Sequence, residues 1–296
     1  MDLRQASYVI AVVDHGTFTA AASSIPVSQP ALSQAVAALE RELGTPLFDR
    51  LGRAVVLTPA GRAFVEPARQ MLRDAEVARA AVAEVAGLTA GRVDVVALPT
   101  LVVEPLVAIV GRFRSSHPGV LVRITEPEDP TAVLDLVRSG AAELGLGDEP
   151  VHDGDAQLAS DHLGTQALLA VLPPGTALDR SRRLPVARLA GFPLITTPPG
   201  TSTRRLLAAA LREAGPRAEP RIGVVTEHRE AIAPLVLAGA GAAVLPEPLA
   251  RAAAERGAVV APLTPRVERP VHLVRRSGPL SPAAGVFRDL ALAARR

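Results

Sequence analysis

Hydrophobic residues recur at helical spacing near the N-terminus and predict three short helices, over 3–15, 19–24 and 28–43. Glycine, proline and serine separate these segments at positions typical of helix ends. The third helix has an inward apolar stripe and a polar outer face. The stripe consists of Leu32, Val36, Leu39 and Leu43, and the residues off the stripe are Gln29, Ser33, Gln34 and Ala37.

Residues 47–58 predict a short two-stranded ribbon, or wing, whose turn is flanked by Arg50 and Arg53. A long helical pattern follows over 59–88 and contains Pro67, which we expect to bend or split the helix. Because a long exposed helix with an apolar stripe usually needs a partner helix, we interpret this segment as a dimerisation arm.

From residue 92 onward, strand and helix patterns alternate, which predicts an α/β region with largely parallel sheets. Roughly two hundred residues can form one domain or two lobes. The chain as a whole is therefore predicted to be α/β, with an all-α N-terminal unit that carries the wing. The predicted strands are 93–98, 120–125, 144–147, 167–172, 193–196, 222–225, 242–245 and 271–275, and the predicted helices are 102–115, 131–139, 203–213, 230–238, 247–256 and 282–293.

The composition excludes several classes of enzyme. The 296 residues include no cysteine and no lysine, so thiolate nucleophiles, Schiff-base chemistry and a P-loop lysine are all ruled out. Hydrophobic residues make up 48% of the chain, which is enough for a sizeable core. No apolar run is long enough to span a bilayer, and the N-terminus lacks a signal-peptide pattern. We therefore expect a cytoplasmic protein with no membrane attachment.

The net charge gives no indication of a nucleic-acid partner. The formal net charge is +2, and residues 1–62 contain five arginines and five acidic residues. A DNA-binding role therefore depends on where the polar residues are placed. A helix-turn-helix typically consists of two short helices joined by a tight turn. Its second helix begins with a capping residue and has a polar outer face. An ordinary three-helix unit that binds no nucleic acid is the alternative.

Short motifs between residues 17 and 61 carry a resemblance to a known family. With them, nearly the whole chain resembles the LysR-type transcriptional regulators. The resemblance implies a winged helix-turn-helix, a linker helix and a two-lobed effector domain like that of periplasmic binding proteins. The motifs are TFTAAA (17–22), VSQPALS (27–33), LE (39–40), LG (43–44), LFDR (47–50) and LTPAG (57–61), and the looser C-terminal ones are HPGV (117–120), ELGLG (143–147) and AGAGAAVLP (238–246).

The resemblance implies that the start of the third helix contacts base edges in a major groove. Glutamine can pair with adenine, and proline offers an apolar face to the thymine methyl group. The sequence departs from many relatives at Gln34, where they have arginine. Helix caps and the wing arginines are expected to contact phosphates. The predicted DNA-contacting residues are Thr17, Ser28, Gln29, Pro30, Ser33, Gln34, Arg50 and Arg53.

The resemblance also implies the domain organisation and a ligand cleft. The predicted units are 1–58, 59–90 and 91–296, with lobe one at 91–162 plus 268–296 and lobe two at 163–267. Ligands in such folds bind at strand C-terminal ends and helix N-termini, where hydroxyl groups suit an anion such as a small organic acid. The alternative is that these hydroxyls only cap helices. The predicted effector-binding residues are Pro99, Thr100, Glu126, Thr196, Thr197, Gly200, Thr201, Ser202 and Thr226.

No catalytic site and no cofactor are predicted. The sequence has no nucleophile elbow, and its six histidines are scattered without metal-ligand spacing. His152, Asp153 and Asp155 form a local cluster, for which a solvated loop is the favoured interpretation and a metal site the alternative. We therefore expect an effector-gated regulator that binds double-stranded DNA as a homodimer and assembles into a homotetramer. A solute-binding protein and an enzyme fused to a DNA-binding domain are the rival hypotheses.

Overall fold

The computed structural model describes residues 1–51, 54–85, 91–127, 131–179, 182–215 and 220–295. Within these ranges the α-helices are α1 (Leu3–His15), α2 (Phe18–Ser24), α3 (Gln29–Leu43), α4 (Pro59–Val85), α5 (Pro99–Leu101), α6 (Val107–Ser116), α7 (Ala132–Arg138), α8 (Ser202–Glu213), α9 (Ile232–Leu237), α10 (Glu247–Glu255) and α11 (Pro282–Ala293). The strands are β1 (Phe48–Leu51), β2 (Ala54–Leu57), β3 (Gly91–Ala97), β4 (Val120–Thr125), β5 (Leu144–Gly147), β6 (Leu158–Leu172), β7 (Leu184–Pro185), β8 (Leu194–Thr196), β9 (Ile222–Val225), β10 (Ala243–Pro246) and β11 (Val259–Arg276).

Side-chain caps determine where the first three helices begin. Thr17 accepts a hydrogen bond from the amide of Ala20 at 3.1 Å, and Ser28 accepts one from the amide of Ala31 at 3.4 Å. Gly44 ends α3 in the left-handed conformation, with a φ of 71° that glycine adopts without steric penalty. The helices enclose a core made of Val9, Val12, Ala21, Leu32, Val36, Leu39, Leu47 and Phe48.

The inward stripe predicted for α3 is confirmed for three of its four residues. Leu32, Val36 and Leu39 are buried, whereas Leu43 is 41% exposed. Leu43 lies in the last turn of the helix, and Leu47 of the following segment belongs to the core instead. The stripe therefore ends one turn earlier than the sequence pattern predicts.

The long helix α4 is not split at Pro67, which lies within it. Its first half packs on α1, where Ala68 of α4 meets Ala6 and Ile10. Part of the apolar stripe is thus covered within the same chain. Farther along, Val82 is 71% exposed and remains available to a partner.

The central sheet is mixed, and this corrects the prediction of largely parallel sheets. Its strand order is β10-β6-β11-β5-β3-β4, with β7 paired to β11 off this path. Strand β3 is parallel to both β4 and β5, but the pairs β11/β5, β11/β6 and β10/β6 are antiparallel. Strands β8 and β9 form a separate parallel pair. The α/β class is confirmed.

Two long strands, β6 and β11, run side by side through the whole sheet and were predicted only in part. The predictions covered 167–172 of β6 and 271–275 of β11. Prolines at 262, 265 and 270 argue against a strand from sequence alone. The structure accommodates Pro265 where the register shifts between Pro262 and Val267. Separate hydrophobic cores flank the two ends of this strand pair, so it connects two lobes.

The helix predicted over 102–115 is interrupted near its start. Glu104 has an extended backbone, with φ −155° and ψ 130°, and the Glu104–Pro105 peptide bond is cis. Proline disfavours helical conformation in the residue before it, which explains the break. Only α6, from Val107 onward, continues as a regular helix.

Candidate functional site

The first turn of α3 presents the outer face that the sequence predicts. Gln29, Pro30 and Gln34 are exposed, as is the cap residue Ser28, and Ser33 is half-buried beside them. Thr17 is half-buried at the start of α2. The four exposed side chains and Ser33 therefore lie on or next to the surface at the N-terminal end of α3, and Thr17 lies at the start of the preceding helix.

The wing is tied to α3 by a residue that sequence reasoning missed. The carboxylate of Glu40 accepts hydrogen bonds from the amides of Leu47 and Phe48, at 2.7 and 3.2 Å. Strands β1 and β2 then pair antiparallel, with Arg50 opposite Val55. The side chain of Arg50 and the whole of Arg53 lie outside the described residues. Glu40 is the acidic residue of the LE motif (39–40), and its place in that motif could have indicated its role in positioning the wing.

A cavity of about 60 Å³ lies between the two lobes. Six of the nine predicted effector residues line it, whereas Glu126, Gly200 and Thr226 do not. One wall comes from the segment after β3, and the other from β8 and the start of α8. The principal lining residues are Leu98, Pro99, Thr100, Ile195, Thr196, Thr197, Thr201, Ser202, Thr203, Arg229 and Ile232.

The hydroxyl groups of Thr201 and Ser202 at the start of α8 make hydrogen bonds other than a helix cap. Thr201 occupies the N-cap position, but its side chain makes no capping hydrogen bond. Its hydroxyl contacts that of Thr197 at 2.5 Å and donates to the carbonyl of Pro198 at 3.1 Å. Ser202 donates to the carboxylate of Asp148 at 2.6 Å. Thr201, Ser202 and Thr203 at the start of α8 thus line the cavity, and Thr201 supplies no side-chain cap to the helix amides.

A buried arginine connects the two walls of the cavity. Arg269, on β11, is 0% exposed. Its Nη1 donates to the hydroxyl of Thr100 at 2.7 Å and to that of Ser202 at 3.4 Å, and its Nη2 donates to Gln166. Its Nε has no hydrogen-bond partner among the described residues. Arg269 lies in the part of β11 that the sequence did not predict.

The carboxylate of Asp148 lies on the other side of Ser202. It accepts from Arg205 at 2.8 Å, and Arg205 also pairs with Glu149. Burial lowers the pKa of Arg269 to about 10, and the nearby negative charge of Asp148 opposes that effect. Arg269 therefore remains a cation at neutral pH. Asp148 directly follows β5, so the strand-end reasoning that selected Thr100 could also have found it.

The three predicted effector-binding residues that do not line the cavity are Glu126, Thr226 and Gly200. Glu126 forms an ion pair with Arg229 at 2.9 Å across the two lobes. Thr226 donates its amide to the carbonyl of Thr196 and accepts from the amide of His228 at 3.0 Å. Gly200 is exposed, with a φ of 89°.

The loop cluster of His152, Asp153 and Asp155 is solvated. His152 and Asp153 are exposed, and Asp155 is held by Arg138 at 3.1 Å and by the amide of Gln157. These hydrogen bonds lower the pKa of Asp155. Across the described ranges, no three or more His, Asp or Glu side chains are grouped to hold a metal ion.

Two family models match the chain and together cover most of it. Residues 3–62 match the bacterial regulatory helix-turn-helix protein, lysR family, and residues 86–296 match the LysR substrate binding domain. The chain belongs to the LysR family. This LysR-type regulator therefore combines a DNA-binding helix-turn-helix with an effector-binding domain, and its relatives are transcriptional regulators rather than enzymes.

Two curated relatives span nearly the full length of this LysR-type regulator, and a third covers about two thirds of it. The SDS degradation transcriptional activation protein of a Pseudomonas species is 32% identical over 98% of this chain and 95% of its own. The RuBisCO operon transcriptional regulator of Allochromatium vinosum is 30% identical over 99% and 96%. The regulator TfdT of Cupriavidus pinatubonensis is 34% identical over 68% and 86%.

Solved structures share the fold. Full-length OxyR from Pseudomonas aeruginosa has a TM-score of 0.76 and 23% identity, with 100% of this chain and 95% of that chain covered. Full-length CbnR in complex with its target DNA has a TM-score of 0.55 and 25% identity, with both chains fully covered. In the described part of this regulator, no helix is both long and apolar enough to cross a membrane.

Proposed function

We propose that this LysR-type regulator binds a promoter inverted repeat as a homo-oligomer in the cytoplasm and responds to a small organic acid in the cleft between its lobes. The domain ranges 1–58, 59–90 and 91–296 are part of this proposal, as are lobe one (91–162 and 268–296) and lobe two (163–267). The acid would bind against Thr100, Thr201 and Ser202, with Pro99, Thr196 and Thr197 forming the rest of the wall.

The observation that carries the effector proposal is the buried cation of Arg269. It donates to hydroxyls from both walls, Thr100 on one lobe and Ser202 on the other. The N-terminus of α8 adds the positive end of a helix dipole at the same place. A carboxylate in the cavity that accepts from the hydroxyl of Thr100 and from the amides at the start of α8, with the charge of Arg269 behind them, would interact with both lobes at once. It would thereby favour the closed arrangement over an open one, which is what effector gating requires.

The volume of the cavity limits the size of the ligand in this arrangement. About 60 Å³ holds a few water molecules or a small acid. A larger acid would require the lobes to separate, and the cross-lobe pair of Glu126 and Arg229 would then break. We therefore place Glu126 at the cleft entrance, and we assign Gly200 and Thr226 to the supporting loops.

On the DNA side, Gln29, Pro30, Ser33 and Gln34 are proposed to contact base edges. Thr17 and Ser28, together with Arg50 and Arg53, are proposed to contact phosphates. The exposed outer face at the start of α3 supports the first assignment. The 71% exposure of Val82 near the end of α4 supports pairing of two chains, and four chains would form the homotetramer.

The effector proposal is tested by a thermal-shift screen with monocarboxylic, dicarboxylic and aromatic acids, and with their neutral amides as matched controls. A ligand of the native state raises the melting temperature. We expect an acid to raise it and its amide to have no effect. Thr100→Val removes one donor while keeping the side-chain shape, and we expect it to weaken the responding acid about tenfold. Amides as effective as acids would refute an anion site.

The DNA proposal is tested by footprinting on DNA flanking the gene, followed by binding titrations in increasing salt. We expect Gln29→Ala to reduce the preference for the protected sequence over random DNA. Arg53→Ala should instead weaken binding to both and reduce the slope of log affinity against log salt by about one. An Arg53→Ala protein with an unchanged slope would refute the phosphate contact.

A further inference from the structure

Helix α4 touches both functional units of the chain through successive turns. Arg69 forms an ion pair with Asp14 at the end of α1. One turn later, Arg73 donates from Nη1 to the carbonyl oxygen of Gly140 in lobe one, at 2.8 Å. Residues four apart lie on the same side of a helix. On the same face of α4, Arg69 therefore contacts the DNA-binding unit and Arg73 contacts the effector domain.

The contact between Arg73 and Gly140 requires glycine at position 140. Gly140 ends α7 in a left-handed conformation with φ 69°, and its amide donates to the carbonyl of Val137. A Cβ atom built on Gly140 would lie 1.5 Å from Nη1 of Arg73 and 1.9 Å from its Cζ. Any other residue would have to expel the guanidinium from its position.

Arg73 is held in this place by further interactions. Its Nη2 donates to the side chain of Gln70 at 3.0 Å. Burial, together with the nearby positive charges of Arg276 and Arg69, lowers the pKa of Arg73 to about 10. Partial burial of a cation beside other cations is unfavourable without compensation. The hydrogen bond to the carbonyl of Gly140 supplies part of that compensation, so this contact stabilises the partly buried guanidinium of Arg73.

A second contact supports the docking of α4 on lobe one. Glu66, seven residues before Arg73, accepts from the side-chain amide of Gln157 at 3.3 Å. Gln157 directly precedes β6, whereas Gly140 follows α7. Two separate parts of lobe one thus meet the same face of the linker helix.

Lobe one offers a short, rigid connection from this contact to the cleft. Helix α7, which Gly140 ends, packs closely on β5, because a Cβ on Gly145 would come within 2.8 Å of Val137. All four residues of β5 are buried. Asp148 directly follows β5 and bonds to Ser202 of the other lobe. Close-packed elements of this kind move as a unit rather than deform.

We infer that Arg73 and Gly140 form a joint that docks lobe one on the linker helix and sets the orientation of the DNA-binding unit relative to the effector domain. The joint goes beyond the proposed function, because it lies outside both the cleft and the DNA-contacting surface. Breaking it leaves the longer contact between Glu66 and Gln157, so the two units change their relative orientation more freely while the fold of each is retained.

The experiment measures the distance between the two units within one full-length chain. The natural chain has no cysteine, so His15→Cys and Arg112→Cys, both at exposed positions on α1 and α6, introduce the only two spin-labelling sites. Labelled chains are diluted in an excess of unlabelled chains, and the intrachain distance is measured by pulsed dipolar spectroscopy. We expect a single narrow distance peak in the otherwise unchanged chain.

Gly140→Ala and Arg73→Ala should each abolish that narrow peak, giving a broad or displaced distribution. Gly239→Ala is the matched control for the first variant, because Gly239 has a φ of 81° and no atom within 4 Å of an added Cβ. Arg251→Ala is the control for the second, because Arg251 is 75% exposed in lobe two. Both controls should keep the narrow peak.

Circular dichroism establishes whether each variant is folded. If Gly140→Ala does not fold, the distance distribution of Arg73→Ala still tests whether the contact sets the orientation of the two units. A narrow peak at the original distance in folded Arg73→Ala protein would overturn the inference. The thermal shift produced by organic acids should be unchanged in both joint variants. An absence of any acid response would refute the cleft proposal while leaving the distance result intact.

Discussion

Replacing Arg269 by methionine separates the stability of the cleft from its ability to bind an anion. A fall in pKa to about 10 corresponds to about 3 kcal/mol of destabilisation of the buried charged form. Against this, the guanidinium donates to Thr100 at 2.7 Å and to Gln166. Hydrogen bonds to a charged group contribute about 1.5 kcal/mol or more each. Because the two effects oppose each other and are similar in size, we expect Arg269→Met to change the free energy of unfolding by less than about 2 kcal/mol.

The free energy of unfolding is measured by urea denaturation at pH 7, and binding by the acid-induced rise in melting temperature. We expect Arg269→Met to be folded and to lose the response to every acid. Arg251→Met, at an exposed position, is the matched control and should keep both properties.

Two results would refute this reasoning. A loss of more than about 4 kcal/mol in Arg269→Met would mean that the buried charge is chiefly structural. An unchanged acid response in the folded variant would mean that another group binds the anion.

Three further predictions concern the wing, a close contact and pH. Glu40→Ala leaves the wing amides without their acceptor, so we expect weaker DNA binding with unchanged helix content, measured by fluorescence anisotropy and circular dichroism. Gly61→Ala places a Cβ 2.0 Å from the carbonyl oxygen of Leu47 and should lower the melting temperature. Gly111→Ala, in an open helical position, should instead stabilise by about 0.5–1 kcal/mol. A paired arginine lowers the pKa of Asp161, so its contribution to stability is present above its ordinary pKa and is lost as the pH falls through the folded value. Asp161→Asn should therefore reduce the loss of stability in acid.

Each of these predictions has a contradicting outcome. Undiminished DNA affinity in the Glu40 variant would mean that the wing is positioned by other contacts. If Gly61→Ala were as stable as Gly111→Ala, the backbone around Leu47 would be able to move away from the added Cβ without loss of stability. An unchanged acid unfolding curve for Asp161→Asn would mean that its ion pair contributes nothing measurable.

The N-terminal unit could be predicted closely because its signals are local. Thr17 and Ser28 cap helices through amides only three residues away, and Gly44 ends α3 through its own backbone conformation. Such interactions depend on neighbouring residues in the chain. Leu43 was the exception, because its exposure depends on how far the core extends.

The cleft could be predicted in part. Thr100 and Ser202 were found because each follows or begins an element at the edge of the sheet. Arg269 was missed because it lies in a strand rich in proline, a residue that argues against strands. Pairing with β6, where Arg269 lies opposite Gln166, shows that the segment around Arg269 is a strand.

The sequence by itself determined the helices of the DNA-binding unit, the alternation of strands and helices, and the family. These follow from capping, periodicity and motifs, all of which act over short separations. The tertiary structure alone decided that the central strands are antiparallel, that Arg269 contacts both lobes, and that Arg73 docks against Gly140. The last contact joins residues 67 positions apart. Packing and hydrogen bonding between distant segments depend on the folded chain as a whole, so local sequence patterns do not predict them.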